Sequence, residues 1–339
     1  MDNKPMKDTF NRLGYIDFLK FIGLTGILVA HVGSPSWAMM LRSFDVPLMV
    51  ILSSILAHRS FSKNPSISHY YGARAKRLIF PTWIFLLFYF LLCYIFSGKA
   101  ETLHYYIASF CLTRYGIGYV WIILIYLYSA MLIPLFDKIK FTAKGIVIVF
   151  FSYVLYEVAY YYRIGLDGGV SKAIIETTVY YIIPYGVLTF LGYNYQEFDK
   201  KTKGIIFFIN LVVFVFLAIF YFHNTGKPQL VSISKYPPRL YYMSYGVTCS
   251  FGLLMLCEDH SYKLFDNKII KYISAHSMWI YLWHIFIIEI YDYIKLPEIW
   301  FVKLIIVYFS SILVVLVTNR LYDCVEKRKR IKMIKYLRG

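Results

Sequence analysis

Ten apolar runs follow one another along this chain, most of them about long enough for a helix to cross the roughly 30 Å hydrocarbon core of a bilayer. They fall at 13–32, 43–58, 78–97, 117–136, 145–162, 174–192, 205–222, 240–256, 273–291 and 300–322. Lipid offers no partner to a bare peptide group, so runs of this length must satisfy their own backbone hydrogen bonds as helices. The expected fold class is therefore all-α, a polytopic transmembrane bundle of about ten spans. The second run is the weakest of the set, because it is short and holds Asp45 and Pro47. The polar stretch 59–77 is expected to include a short helix leading into the third span. Composition agrees: 59% of residues are hydrophobic and only 16% charged, where a soluble domain carries about a quarter.

The net charge of +17 is not gathered into a basic domain that would hold nucleic acid. It sits in short loops. Of the 36 Lys and Arg, 24 fall on the side that includes both ends of the chain and nine on the other. Positive charge is retained on the cytoplasmic side, so both termini are expected there, in keeping with an even number of spans. The organisation expected is a cytoplasmic segment 1–12, a membrane domain 13–323 and a basic tail 324–339 whose charges fix orientation beside anionic lipid. The first run lacks an A-x-A-like cleavage site and reads as a retained span. The five cysteines are scattered, with no CxxC pair, so neither a disulfide framework nor a metal site is expected.

Polar residues inside apolar runs carry the functional information, because ionisable groups at membrane depth are costly and face a bundle interior or a wet cavity. The first run reads DFLKFIGLTGILVAH over 17–31. At about 100° per residue, Lys20 and His31 share a face, with Asp17 beside them and Leu24 and Ile27 between. The stripe is polar at its ends and apolar in its middle, and it holds Lys20 and His31 about 16 Å apart in depth. A snorkelling lysine and an interfacial histidine would give the same residues; the shared angle favours a common cavity. An imidazole with an ordinary pKa near 6.5 suits proton transfer, or could carry an acyl group itself.

RAKR at 74–77 puts Arg74 and Arg77 on one helix face just before the third run, with Lys76 pointing elsewhere. Two guanidinium forks side by side suit phosphate oxygens, although a cytoplasmic positive flank would look the same. SMWIYLWH at 277–284 places Ser277, Tyr281 and His284 at i, i+4 and i+7, a polar stripe in an apolar span. Interhelical hydrogen bonding accounts for the first two; His284 lies mid-span. Glu157 and Glu176 are placed to orient a histidine, and interfacial carboxylates would sit there equally well. Pro81, Pro134 and Pro184 are expected at kinks or helix ends.

Together these segments resemble the integral-membrane acyltransferase family 3, the O-acyltransferases of bacterial surface glycans. YIDFLKFIGLTGILVAH is similar to its first span, in which an Arg or Lys precedes a His by eleven positions, matched by Lys20 and His31. Arg74 and Arg77 match its RxxR. VPLMVILSSIL (46–56), YVWIILIYLYSAMLIP, YPPRLYYMSYG and SMWIYLWH resemble further segments of the family, so the likeness extends over roughly 12–323. The chain departs from the pattern at Lys20, where Arg is commoner, at Ser54, where Gly is usual, and at Met278 and Trp279 after Ser277.

The resemblance implies transfer of an acyl group, most simply acetyl, from acetyl-CoA to a hydroxyl of a surface or lipid-linked glycan such as an O-antigen or exopolysaccharide. It implies His31 as the catalytic residue with Lys20 positioned along the same cavity, Arg74 and Arg77 in the acyl-CoA site, and no metal. The expected setting is the bacterial inner membrane, with lipid, acyl-CoA and a glycan acceptor as partners and no nucleic acid. The rival reading is a polysaccharide transporter, flippase or polymerase. A polymerase would be expected to carry a large outer loop and a transporter repeated halves, and the sequence shows neither.

Overall fold

The protein was examined as a computed structural model, which describes residues 14–162, 164, 169–260 and 262–329. The expected segment 1–12 and residues 330–339 of the basic tail lie outside them. Among the described residues the chain is helical throughout, apart from turns and one isolated bridge between Lys235 and Pro238. In order come α1 (Gly14–His31), α2 (Ser36–Leu41), α3 (Asp45–Lys63), α4 (Ile67–Ser97), α5 (Leu103–Phe110), α6 (Trp121–Ile139) and α7 (Ala143–Tyr161). They are followed by α8 (Gly169–Thr177), α9 (Val179–Asn194), α10 (Lys200–Thr225), α11 (Leu240–Glu258), α12 (Lys268–Ala275), α13 (Ser277–Tyr293) and α14 (Trp300–Lys329). Nine segments of the described residues are long and apolar enough to cross a membrane, and the bent pair α12–α13 makes a possible tenth.

The bundle is organised around α3, which packs against α1, α6, α9 and α11. Most of its apolar residues point inward: Leu48, Val50, Ile51, Leu52 and Ile55 are all fully buried, and Leu56 is the exposed exception. A helix apolar all round belongs inside a bundle. Its charged start is tolerated because Asp45 pairs with Arg42 at 3.1 Å and accepts the Val46 N–H at 2.7 Å. Pro47 stands in the first turn, where its missing N–H costs no helical bond. At the other extreme α10 packs mainly on α11 and turns Phe208, Val212, Phe216 and Ile219 outward. Those side chains suit acyl tails, not water.

Close approach of α3 and α9 depends on Gly192. A Cβ there would lie 2.6 Å from the Ile51 carbonyl oxygen and 2.8 Å from Ser54 Cβ. Small residues at such crossings let backbones touch. Here α9 supplies the glycine, and Ser54 on α3, which ties its hydroxyl back to the Val50 carbonyl at 2.8 Å, is accommodated without one.

Pro81, Pro134 and Pro184 lie inside α4, α6 and α9, the interior of the two settings expected for them. Two expectations change. The polar stretch 59–77 does not form a separate short helix: α3 runs on to Lys63, and from Ile67 the chain is continuous with the third span. The ninth run is not one helix. It breaks at His276, and α12 and α13 meet at 76°. The break leaves a terminal carbonyl of α12 without its intrahelical partner, and that carbonyl is used at the site described next.

Candidate active site

The polar stripe of α1 faces the bundle interior. Near its start, Asp17 accepts the Ser274 hydroxyl at 2.6 Å, and Lys20 Nζ donates to the Ser274 carbonyl at 2.7 Å. The broken ninth segment thus presents Ser274, in the last turn of α12, to both ionisable groups of α1. Lys20, Leu24 and Ile27 then line one wall of a cavity of about 440 Å³. Volumes of this order are usual for small-molecule sites.

Arg74 and Arg77 line the same cavity. Arg77 is exposed and Arg74 half-buried, its guanidinium 5.1 Å from the Tyr70 ring centroid. Neither guanidinium is ion-paired among the described residues. Lys76 is exposed and takes no part in the lining, as the helical spacing predicts. Ser277, Met278 and Tyr281 of α13 form a further wall. The stripe of α13 and the stripe of α1 therefore run side by side, from the cations toward the histidines.

His31 does not line that cavity; it stands beyond its inner end, packed edge-on against Tyr119, with ring centroids 4.6 Å apart. Its Nδ1 lies 2.8 Å from Nε2 of His284, the ring planes 12° apart. Nδ1 of His284 in turn bonds the backbone carbonyl of Tyr281. The tautomers follow from this chain of acceptors. A carbonyl oxygen only accepts, so His284 Nδ1 carries a proton. In the neutral pair its Nε2 is then a bare lone pair, and His31 donates to it through Nδ1–H. What remains on His31 is a basic Nε2. His31 keeps partial exposure whereas His284 is fully buried, so only His31 can meet a substrate. A histidine whose second nitrogen is held by a buried partner is fixed in both tautomer and ring orientation.

Tyr281 joins the two parts. It lines the cavity, its ring centroid is 6.4 Å from that of His31 and 4.8 Å from that of His284, and its hydroxyl donates to the Tyr119 carbonyl. Interhelical hydrogen bonding, expected for Tyr281, is what its hydroxyl does. The partner role of His284 was not specified by the sequence, although its stripe position pointed to it.

The two candidate orienting carboxylates are elsewhere. Glu157 pairs with Arg239 at 2.6 Å and accepts the Leu240 N–H at 2.9 Å. Glu176 pairs with Arg114 at 3.1 Å and accepts the Tyr115 hydroxyl at 2.7 Å. Both fasten connecting segments, and neither orients a histidine.

Comparison with known proteins agrees with this layout. Residues 13–320 match the sequence profile of a family described as an acyltransferase domain. No curated protein and no solved structure matches the chain. The matched region takes in α1 and all but the end of α14, together with both histidines and the arginine pair. The chain belongs to the acyltransferase family 3 of membrane proteins.

Proposed function

We propose that the protein moves an acyl group, most simply acetyl, from an acyl-CoA to a hydroxyl of a surface or lipid-linked glycan, from within the bacterial inner membrane. The observation that carries this reading is the cavity that starts at unpaired arginines and ends against the tyrosine touching His31. The end bearing Lys20, Arg74 and Arg77 faces the cytoplasm, as the loop charges indicate. Those cations suit the phosphates of a nucleotide thioester, with the guanidinium forks gripping oxygens in pairs. The wall formed by Leu24 and Ile27 suits a thin uncharged arm. The depth of about 16 Å between Lys20 and His31 lets such an arm reach the imidazole while its phosphates stay at the membrane face.

At the inner end His31 Nε2 takes the proton of the acceptor hydroxyl as its oxygen bonds to the thioester carbonyl carbon. The carbon–sulfur bond breaks, and the imidazolium returns its proton to the thiolate. His284 and the Tyr281 carbonyl hold His31 in the tautomer that leaves Nε2 basic. The acceptor approaches from the opposite face.

The test is chemical. Surface polysaccharide from cells lacking the gene should lose one ester resonance by NMR, and the wild-type gene should restore it. A gene carrying His31→Ala should insert its product in the membrane without restoring the resonance. Restoration by that variant would refute the proposal.

A further inference from the structure

Lys235 lies in the connection between α10 and α11, just after the 3-10 turn Val231–Ser234. It is 6% exposed, and its ammonium makes no hydrogen bond or ion pair among the described residues. It sits between two rings, 5.5 Å from the centroid of Trp121 and 5.4 Å from that of Tyr236. The turn before it packs on α2, which leads straight into the Arg42–Asp45 pair. Arg42 is equally buried, and its Nε has no hydrogen-bond partner. This buried cluster thus holds two cations against one carboxylate. A buried charge left uncompensated is strongly unfavourable, and aromatic faces offset only part of that cost. The connection lies outside the spans, and burial pushes the Lys235 ammonium down to about 8.

We propose that Lys235, with Arg42, binds an oxyanion group on the acceptor and so selects acidic acceptors. This rests on the acyl-transfer reading above and adds the class of acceptor. An ammonium and a guanidinium supply donors for the oxyanion, and Trp121, whose ring the ammonium overlies, reports on what binds there. The oxyanion is either the carboxylate of an acidic sugar or the phosphate of a lipid carrier, and the two are separated by experiment.

The full-length protein in detergent micelles is titrated with D-glucuronate, with methyl α-D-glucopyranoside and with farnesyl phosphate, read by tryptophan fluorescence. Trp121→Phe identifies the responding indole. Glucuronate is expected to bind at least about tenfold more tightly than the neutral glucoside, since a charged hydrogen bond discriminates by about that much. Lys235→Gln should erase the difference and Lys235→Arg should keep it. Farnesyl phosphate binding more tightly than glucuronate assigns the pocket to the carrier.

The free ammonium is charged below about 8 and neutral above. Glucuronate affinity should therefore fall on raising pH from 7 to 9 in the wild type, and stay level in Lys235→Arg, whose guanidinium does not titrate. The other groups facing the ammonium are Arg42, Asp45, His31 and the Tyr236 phenol. Coenzyme A binding at the other end of the bundle reports that each variant is folded. Equal affinity for glucuronate and glucoside, or an unchanged preference in folded Lys235→Gln, overturns the proposal. The titration needs no acyl transfer, so it stands or falls separately from the result for His31→Ala.

Discussion

The two ends of α1 handle ionisable groups in opposite ways. At the start, Lys20, Arg74 and Arg77 stand at a cavity wall, partly open, with the arginines unpaired. At the finish, His31 is locked to a fully buried histidine and that histidine to a backbone carbonyl. Flexible cations at an open wall adapt to a ligand and lend attraction; a fixed imidazole lends direction. On the reading proposed above, binding and chemistry stand about three helical turns apart on one face of one helix.

Mutations should separate the two ends. The largest effect is expected from His31→Ala, a loss of transfer of about a thousandfold or more, because the partly exposed base is removed and His284 behind it is fully buried. His284→Ala should lower kcat by roughly ten- to a hundredfold and leave KM for acyl-CoA unchanged, as loss of positioning does. A rise in KM with kcat intact would break the division between the ends. Arg74→Ala with Arg77→Ala should do the opposite, raising KM for acyl-CoA by about ten- to a hundredfold with kcat nearly constant, and flattening its salt dependence. Lys20→Ala should raise KM several-fold and Lys20→Arg less, since the longer fork keeps the charge. The smallest effect on transfer is expected from Glu176→Gln, which loosens the contact to Arg114 and Tyr115 outside the cavity lining. Transfer should change less than about twofold, as for an ordinary surface ion pair.

One substitution tests the frame that holds the ends apart. Gly192→Val would drive side-chain atoms against the Ile51 carbonyl at the α3–α9 crossing. The expected loss is about 1–3 kcal/mol, read as a lower melting temperature in detergent. An unchanged melting point would show that this crossing is loose.

Much of this layout is legible in the chain because it is local. The stripe Asp17, Lys20, Leu24, Ile27, His31 needs only the helical repeat, and so does the shared face of Arg74 and Arg77. Length and apolarity are enough to place most of the spans. The break at His276 is not legible in the same way. No glycine or proline marks it, and the run 273–291 begins inside α12 and carries straight through a short polar SAHS. The pairing of His31 with His284 joins residues 253 positions apart, and nothing local encodes a distance of that kind. Lys235 was misleading for a related reason. Counted as one more loop charge, it is in fact folded under Trp121 and Tyr236. Glu157 and Glu176 show the converse: charged residues in or near a span that serve as fasteners.

The relay from His31 ends on a peptide oxygen of α13, not on a side chain. Aspartate or glutamate in that place would bring its own charge and titration, and a single base change could delete it. A main-chain oxygen does neither. The Tyr281 side chain has its own place in the cavity wall and on the Tyr119 carbonyl, but a substitution there leaves the main-chain oxygen, and the imidazole would still be told which nitrogen to leave bare.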